Sequence, residues 1–338
     1  MTSIAKFLNN KVHRVNLDLP ESERWLDILK EYEPQLRSAV PKFNELIDGM
    51  FGLYVYPIIA TIKSLKLAGQ ILYVGEIQSI ADFLDMSFEY VLLLQLCYEA
   101  NSCCTSAITQ VNGEYVFYRT MDWGLSLLKE LSIDLEFVKN KKVLFKATSF
   151  VGFVGLATVT IPEKYSLAMN FRSTKTPSLS SILQNATSLI GMNFPASYII
   201  RHICEENMDY DDMMINICKT TLVSPCYIIV CGCVERPKVV TRGTNDYKID
   251  RGDYIVQTNC DQCKTAPNIL YSLERRMMVT DEINLKKNNF RSINELIDSI
   301  TRFPVINEET IYLAIMSPKT GLHYSLTDHF GNHEILRF

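Results

Sequence analysis

Hydrophobic positions in the first hundred residues recur at helical spacing. Between residues 21 and 33, Trp25, Ile28, Leu29 and Tyr32 fall at i, i+3, i+4 and i+7, a single apolar stripe preceded by Pro20, and predict a helix. A second helical run is predicted over 42–67 and a third helical region over 75–100, where Ser87 is the natural N-cap of a last helix opening at 88–90. This block reads as almost entirely α.

From Cys104 onward the period changes to two. Short runs rich in β-branched and aromatic residues, TSAITQV, EYVFYRTM, LEFVK, KVLFKATSFVGFVGLATVTI and YSLAMNFR, are separated by Asn-Gly, Asn-Lys and Pro-Glu turn signals. Asn112-Gly113 between two alternating runs is the clearest hairpin signal in the chain. Helices are predicted over 179–192 and 196–220, then strands in CYIIVCGCVE, KVVTRG and DYIVQTN, a helix over 292–301 and the strand TIYLAIMSP. That order predicts an α+β fold with helices on both faces of stacked sheets.

Composition adds limits. With 338 residues, 47% apolar and 21% charged, the chain can bury a real core as one large domain or two smaller ones. A net charge of −4 with scattered Lys and Arg gives no nucleic-acid footprint. Asn9, Asn10, Lys11 and His13 interrupt any apolar leader in the first twenty residues, so the expectation on composition is a chain that starts cytosolic or has lost its leader. The apolar stretch 50–60 is followed by Lys63 and Lys66 and reads as buried helix with a membrane-touching face.

Among the ten cysteines, Cys97, Cys204 and Cys218 sit in apolar helical surroundings as small buried hydrophobes. Cys231-x-Cys233 with Cys260-x-x-Cys263 has spacing compatible with a zinc site, but Cys-x-Cys inside an apolar strand reads better as buried or redox-active thiols. His329 and His333 read as a solvated tail. No metal and no cofactor are expected.

The chemistry centres on Cys104, which opens the first strand after the helical block. A thiol becomes nucleophilic as thiolate, and its own α-amine can serve as the base once the preceding peptide bond is cut. The Cys103-Cys104 bond lies where an α block meets a β block, a place where a cut leaves two interleaved chains. Cys104-Thr105-Ser106 resembles the C-T-S motif that opens the mature β-subunit in the acid ceramidase and N-acylethanolamine acid amidase family. Tyr118-Arg119-Thr120-Met121-Asp122 is similar to that family's G-R-N-[LM]-D motif at the same distance downstream. VNLDLPESERW, FLDMSFEYVLLLQLCYE, VQTNCDQCK, the pair Arg275-Arg276 and TIYLAIMS have family counterparts in the same order, so the likeness covers nearly the whole chain.

The resemblance implies an N-terminal helical block (α-subunit, 1–103) on an αββα N-terminal-nucleophile hydrolase sandwich (β-subunit, 104–338), forming one compact unit. It implies that Cys104 is both autocleavage acceptor and catalytic nucleophile, acting through a thioester. Arg119 and Asp122 match the active-site pair, Asn259 the oxyanion-hole asparagine, and Arg275 or Arg276 the inward-facing arginine. The chain departs from the family at Asn170-Phe171-Arg172, where an acidic residue is usual in the middle, and at Thr120, Cys231, Cys260, Cys263 and Met277-Met278. The implied activity is hydrolysis of a lipid amide, an N-acylethanolamine or ceramide, at a membrane surface or lipid assembly, by an αβ heterodimer formed from one chain. The opposing expectation is a catalytically silent lipid-binding or interaction protein. The family address is lysosomal, with Asn185-Ala-Thr187 as one glycosylation sequon.

Overall fold

The computed structural model describes residues 8–172, 194–261 and 268–327. The helix expected over 179–192 with its sequon at Asn185, and Cys263, His329 and His333, lie outside these residues.

Two short strands, β1 (Leu8–Asn9) and β2 (Val12–Asn16), precede five helices: α1 (Leu26–Glu31), α2 (Glu33–Phe51), α3 (Val55–Leu67), α4 (Val74–Leu84) and α5 (Phe88–Asn101). The stripe expected over 21–33 is split between a short 3-10 turn at Glu21–Glu23 and α1, with Trp25 and Leu29 fully buried. Ser87 caps α5 as expected, its hydroxyl accepting from the Tyr90 amide at 3.3 Å. The run over 42–67 is broken at Gly52, which takes a positive φ of 51° and separates α2 from α3. Leu53, Tyr56 and Leu67 stand in solvent, so this stretch is only in part the buried helix that composition predicted.

After the helices come β3 (Cys103–Val111), β4 (Glu114–Asp122), α6 (Leu128–Leu131), β5 (Ser132–Lys139), β6 (Lys142–Phe150), β7 (Thr158–Ile161) and β8 (Tyr165–Phe171). Asn112 and Gly113 join β3 to β4 with φ of 52° and 80°, the pair of left-handed residues a tight hairpin needs. Then follow α7 (Ala196–Glu205), α8 (Tyr210–Lys219), β9 (Cys226–Gly232), β10 (Lys238–Arg242), β11 (Tyr247–Arg251), β12 (Ile255–Gln257), α9 (Ser272–Leu285), β13 (Asn289–Phe290), α10 (Ile293–Ile300), β14 (Thr310–Ser317) and β15 (Leu322–Thr327). The sequence pattern did not reveal β1, β2, β11, β13, β15, α6 or α9.

Among the described residues the strands form two sheets, one ordered β1-β15-β14-β4-β3-β12 with β13 beside β3, the other β11-β10-β9-β8-β7-β6-β5-β2. They stack with β3 over β8 and β14 over β7. Helices α9 and α10 cover the outer face of the first sheet through Val279, Ile283, Leu296 and Ile300, while α5 and α7 pack on β8 of the second. The result is an αββα sandwich with a helical block beside it, the α+β class the sequence implied. The N-terminal segment is not purely helical: β1 pairs with β15 and β2 with β5, so it supplies an edge strand to each sheet.

A buried ion cluster ties this segment to the sandwich. Glu76 of α4 is fully buried and accepts from Trp25 Nε1 at 2.6 Å, from Arg24 at 2.9 Å and from both terminal nitrogens of Arg201 on α7, at 2.7 and 2.5 Å. The Arg201 guanidinium also lies 4.1 Å from the centre of the Tyr73 ring. Burial opposes the charge on Glu76, but the Arg201 charge and hydrogen bonds outweigh it and hold the carboxyl below its usual range. Glu76→Leu takes the carboxylate from both terminal nitrogens of the buried Arg201, leaving it only Glu205 on Nε at 2.8 Å and the Val154 carbonyl, and is expected to cost roughly 3–5 kcal/mol in urea unfolding. A loss below about 1 kcal/mol, the scale of a surface pair, would show that the cluster does not hold the block in place.

Candidate active site

Alternation along β3 and β4 sorts the site residues between two faces. Cys104 pairs with Met121 and Cys103 with Asp122, in antiparallel register. Successive side chains of a strand point to opposite faces, so Cys104, Arg119 and Met121 enter the space between the sheets. Cys103, Thr105, Thr120 and Asp122 face α9. All of these residues are buried, with Cys104 wholly out of solvent.

Asn259, just beyond β12, lies at the junction. Its Oδ1 accepts the Cys104 backbone N–H at 2.8 Å and the Arg275 guanidinium at 3.0 Å, while its Nδ2 donates to the Phe171 carbonyl at 2.9 Å and the Ser102 carbonyl at 3.4 Å. Two donors on one side and two acceptors on the other define which amide atom is oxygen. Asn259 therefore grips the chain on both sides of the Cys103-Cys104 bond.

Arg275 reaches the site from the first turn of α9, with no surface left exposed. It donates to Thr105 Oγ1 at 2.9 Å and to Ser272 Oγ at 3.1 Å, and it forms the ion pair with Asp122 at 3.4 Å. This corrects the expected pairing of Arg119 with Asp122: three positions apart on one strand, those two side chains leave on opposite faces. Thr310 donates to the other Asp122 oxygen at 2.8 Å. Burial nevertheless dominates and raises the Asp122 carboxyl to about 6 against the pull of Arg275.

Arg119 is aimed at the Cys104 sulfur. One terminal nitrogen lies 3.2 Å from Cys104 Sγ and 2.7 Å from the Met169 carbonyl. The other donates to the Tyr312 hydroxyl at 2.8 Å and to Thr158 Oγ1. Burial pushes the Cys104 thiol up, and the Arg119 charge is the largest influence in the opposite direction. Cys103 is pushed to about 12 by burial, partly offset by Arg275.

Of the adjacent arginines, Arg275 points inward. Arg276 instead braces the 258–261 turn through the Cys260 carbonyl at 2.5 Å and Cys260 Sγ at 2.9 Å. One turn position separates the two fates, because neighbouring helix residues lie about 100° apart. At the departure Asn170-Phe171-Arg172, Asn170 accepts from Ser106 Oγ at 2.9 Å, and Arg172 forms a two-point pair with Asp261 at 2.9 Å for each contact. The Thr120 hydroxyl is buried with no hydrogen-bond partner among the described residues. Cys231 is buried in β9, and Cys233 just past its end is partly exposed. Tyr312, Thr158 and Thr310 were not singled out from the sequence, where each reads as an ordinary strand residue.

Comparison with known proteins gives this arrangement its class. The family model described as linear amide C-N hydrolases, choloylglycine hydrolase family, matches residues 103–235, and the one described as the beta subunit of N-acylethanolamine-hydrolyzing acid amidase matches 11–65. That subunit label thus falls on the N-terminal block, which the sequence reading named the α-subunit. An uncharacterized protein of Acanthamoeba polyphaga mimivirus is 32% identical over 88% of this chain and 93% of its own. The N-acylethanolamine-hydrolyzing acid amidase of Mus musculus and the acid ceramidase of Heterocephalus glaber are each 29% identical, over 90% and 92% of this chain and 84% of theirs. A solved Caenorhabditis elegans ortholog of N-acylethanolamine-hydrolyzing acid amidase shares the fold, with a TM-score of 0.57 at 24% identity over 65% of this chain and 94% of its own. Fold and matches together define an amide hydrolase acting on linear C–N bonds. The chain belongs to the family of acid ceramidase and N-acylethanolamine-hydrolyzing acid amidase.

The raised Asp122 gives a pH signature. A carboxyl that titrates near 6 when folded and near its model value of 3.8 when unfolded binds its proton more tightly in the native state. Its contribution is complete below the unfolded value and is lost as pH rises through about 6. Relative to Asp122→Asn, the wild type should therefore gain roughly 2–3 kcal/mol between pH 7 and pH 4 in urea unfolding. Stability curves that run parallel over this range would contradict the assignment.

Proposed function

We propose that the chain is an autocleaving lipid amidase with Cys104 as nucleophile. The observation that carries this reading is the hold of two residues around one peptide bond: Asn259 takes the Cys104 backbone N–H on its Oδ1 and the Ser102 carbonyl on its Nδ2, and the Arg119 guanidinium lies on the Cys104 sulfur. In self-cleavage, Cys104 Sγ attacks the Cys103 carbonyl carbon and the Cys103-Cys104 C–N bond breaks. The thiol proton passes to the departing α-amine, leaving a thioester that water hydrolyses. The new α-amine then acts as base for the same thiol on a substrate amide. Asn259 Nδ2, freed as residues 102 and 103 withdraw, donates to the substrate's oxyanion. Arg275 positions Asn259 and holds Asp122, and Arg276 supports the turn that carries Asn259.

The apolar character of the surroundings favours a lipid acyl group. An apolar cavity of 60 Å³ lies against Trp123, next to Asp122 in sequence, and is walled by Leu36, Phe43, Phe150 and Phe153 from both sides of the cut. This is far below the roughly 300–1,000 Å³ of a ligand pocket, so we place substrate entry after cleavage, when the helical block can shift. The cut chains, 1–103 and 104–338, stay together through β1, β2 and the Glu76–Arg201 pair as an αβ heterodimer. The exposed Leu53, Tyr56 and Leu67 suit a membrane surface or lipid assembly. Between the two substrates, N-acylethanolamines are favoured over ceramide, and an acidic lysosomal lumen over the cytoplasm, both on family grounds.

Intact-mass measurement before and after incubation at acidic pH tests the reading. Wild type should yield fragments breaking between Cys103 and Cys104 together with amidase activity on N-acylethanolamines. Cys104→Ala should stay whole, and Asn259→Ala should slow both steps by roughly 100-fold or more. A wild-type chain that stays whole and inactive at every pH would overturn it.

A further inference from the structure

One irregularity in the first sheet bears on the arginine beside the nucleophile. Strand β14 pairs with β4 through Thr310↔Asp122 and then Tyr312↔Met121, so Ile311 is an extra residue, a β-bulge. In a regular strand, residues 310 and 312 would share a face. The bulge breaks that parity: Thr310 reaches Asp122 on the helix side, while Tyr312 turns between the sheets toward Arg119. Tyr312 thereby falls in lateral register with Met121, which itself pairs with Cys104 and brings its Sδ within 3.7 Å of the Cys104 sulfur.

We infer that Tyr312 and Thr158 are positioning residues whose paired hydroxyls aim the Arg119 guanidinium at the Cys104 sulfur; the inference rests on the reading of Cys104 as nucleophile. Tyr312 OH and Thr158 Oγ1 lie 2.8 Å apart, and one Arg119 nitrogen donates to both. Thr158 comes from β7 of the opposite sheet, so the guanidinium is fixed from both layers, with the Met169 carbonyl on β8 as a further anchor. A guanidinium is planar, so fixing one terminal nitrogen fixes the direction of the other, the one on Cys104 Sγ. Both hydroxyls are fully or almost fully buried. Being neutral, they orient the cation without cancelling its charge, leaving it to favour thiolate over thiol. The Tyr312 ring also packs 6.0 Å from Phe150 in the wall of the apolar cavity, so Tyr312→Phe can remove the hydroxyl and keep that packing.

The test uses the full chain with Tyr312→Phe, Thr158→Val and Thr158→Ser. Tyr312→Phe and Thr158→Val should slow self-cleavage and lower kcat by roughly 10-fold to 100-fold, with KM within about twofold. The acidic limb of the pH–rate profile, which follows Cys104 ionisation, should move to higher pH, and Thr158→Ser should restore the wild-type profile. Unchanged kcat and pH profile in folded Tyr312→Phe and Thr158→Val would overturn the inference and leave the amidase reading intact. If the wild type neither cuts nor hydrolyses, that reading fails by itself, and crystal structures still decide the geometry. An Arg119 guanidinium that keeps its place on Cys104 Sγ in Tyr312→Phe overturns the positioning role, whereas a displaced one supports it.

Discussion

Period-two alternation along the β3–β4 pair is the constraint on which the site depends. It sends Cys103 and Cys104, joined by a single peptide bond, to opposite faces of one sheet. Each meets a different charged environment: Asp122 with Arg275 on the helix side, Arg119 between the sheets. A register slip of one residue would exchange the faces and bring the Cys103 thiol, in place of Cys104, to Arg119. The hairpin at Asn112-Gly113 fixes that register from one end, and Asn259, holding the Cys104 amide, fixes it from the other.

Holding so many charges out of water is costly, and the structure meets that cost with hydrogen bonds. Arg119, Arg201, Arg242 and Arg275 are all fully buried. Arg242 shows how this is done away from the site, donating to the carbonyls of Ile217 and Thr220 where α8 ends and so satisfying groups a helix terminus leaves open. Arg275 divides its donors among Thr105, Asn259, Ser272 and Asp122, linking α9 to β3 and β4. A partner removed from such a network leaves a buried charge behind, which makes these residues sensitive beyond the strength of any one contact.

The environment of the thiol belongs to an uncut chain. Cys104 is closed to solvent and burial keeps it protonated, while the apolar cavity at Trp123 is lined by elements from before and after the Cys103-Cys104 bond. Cutting that bond would change the local electrostatics at once, adding a carboxylate and an amine where a neutral amide had been. The two segments would still be joined by strand pairing at β1 and β2, by the Glu76 cluster, and by Gln95 of α5, whose side chain accepts from the Val154 amide and donates to the Gly152 carbonyl.

Local pattern determined much of this protein. The cap at Ser87, the Asn112-Gly113 hairpin, the switch from helical to strand period at Cys104 and the order of the main elements are properties of short windows. Ordered motifs also brought Cys104, Arg119, Asp122, Asn259 and the arginine pair into view. What the sequence left open depends on partners distant along the chain. Short edge strands such as β1 and β2 carry too few residues to show a period, and α9 lacks a clear apolar stripe because it turns Arg275 inward instead. Whether Arg275 or Arg276 faced the site was decided by the phase of that helix against β3. The partner of Asp122 was decided by the side of the sheet it occupies, and the place of Tyr312 by one extra residue in β14. Those are relations between elements, settled only when layers pack, because burial, and with it the need to satisfy every charge, exists only in the folded chain.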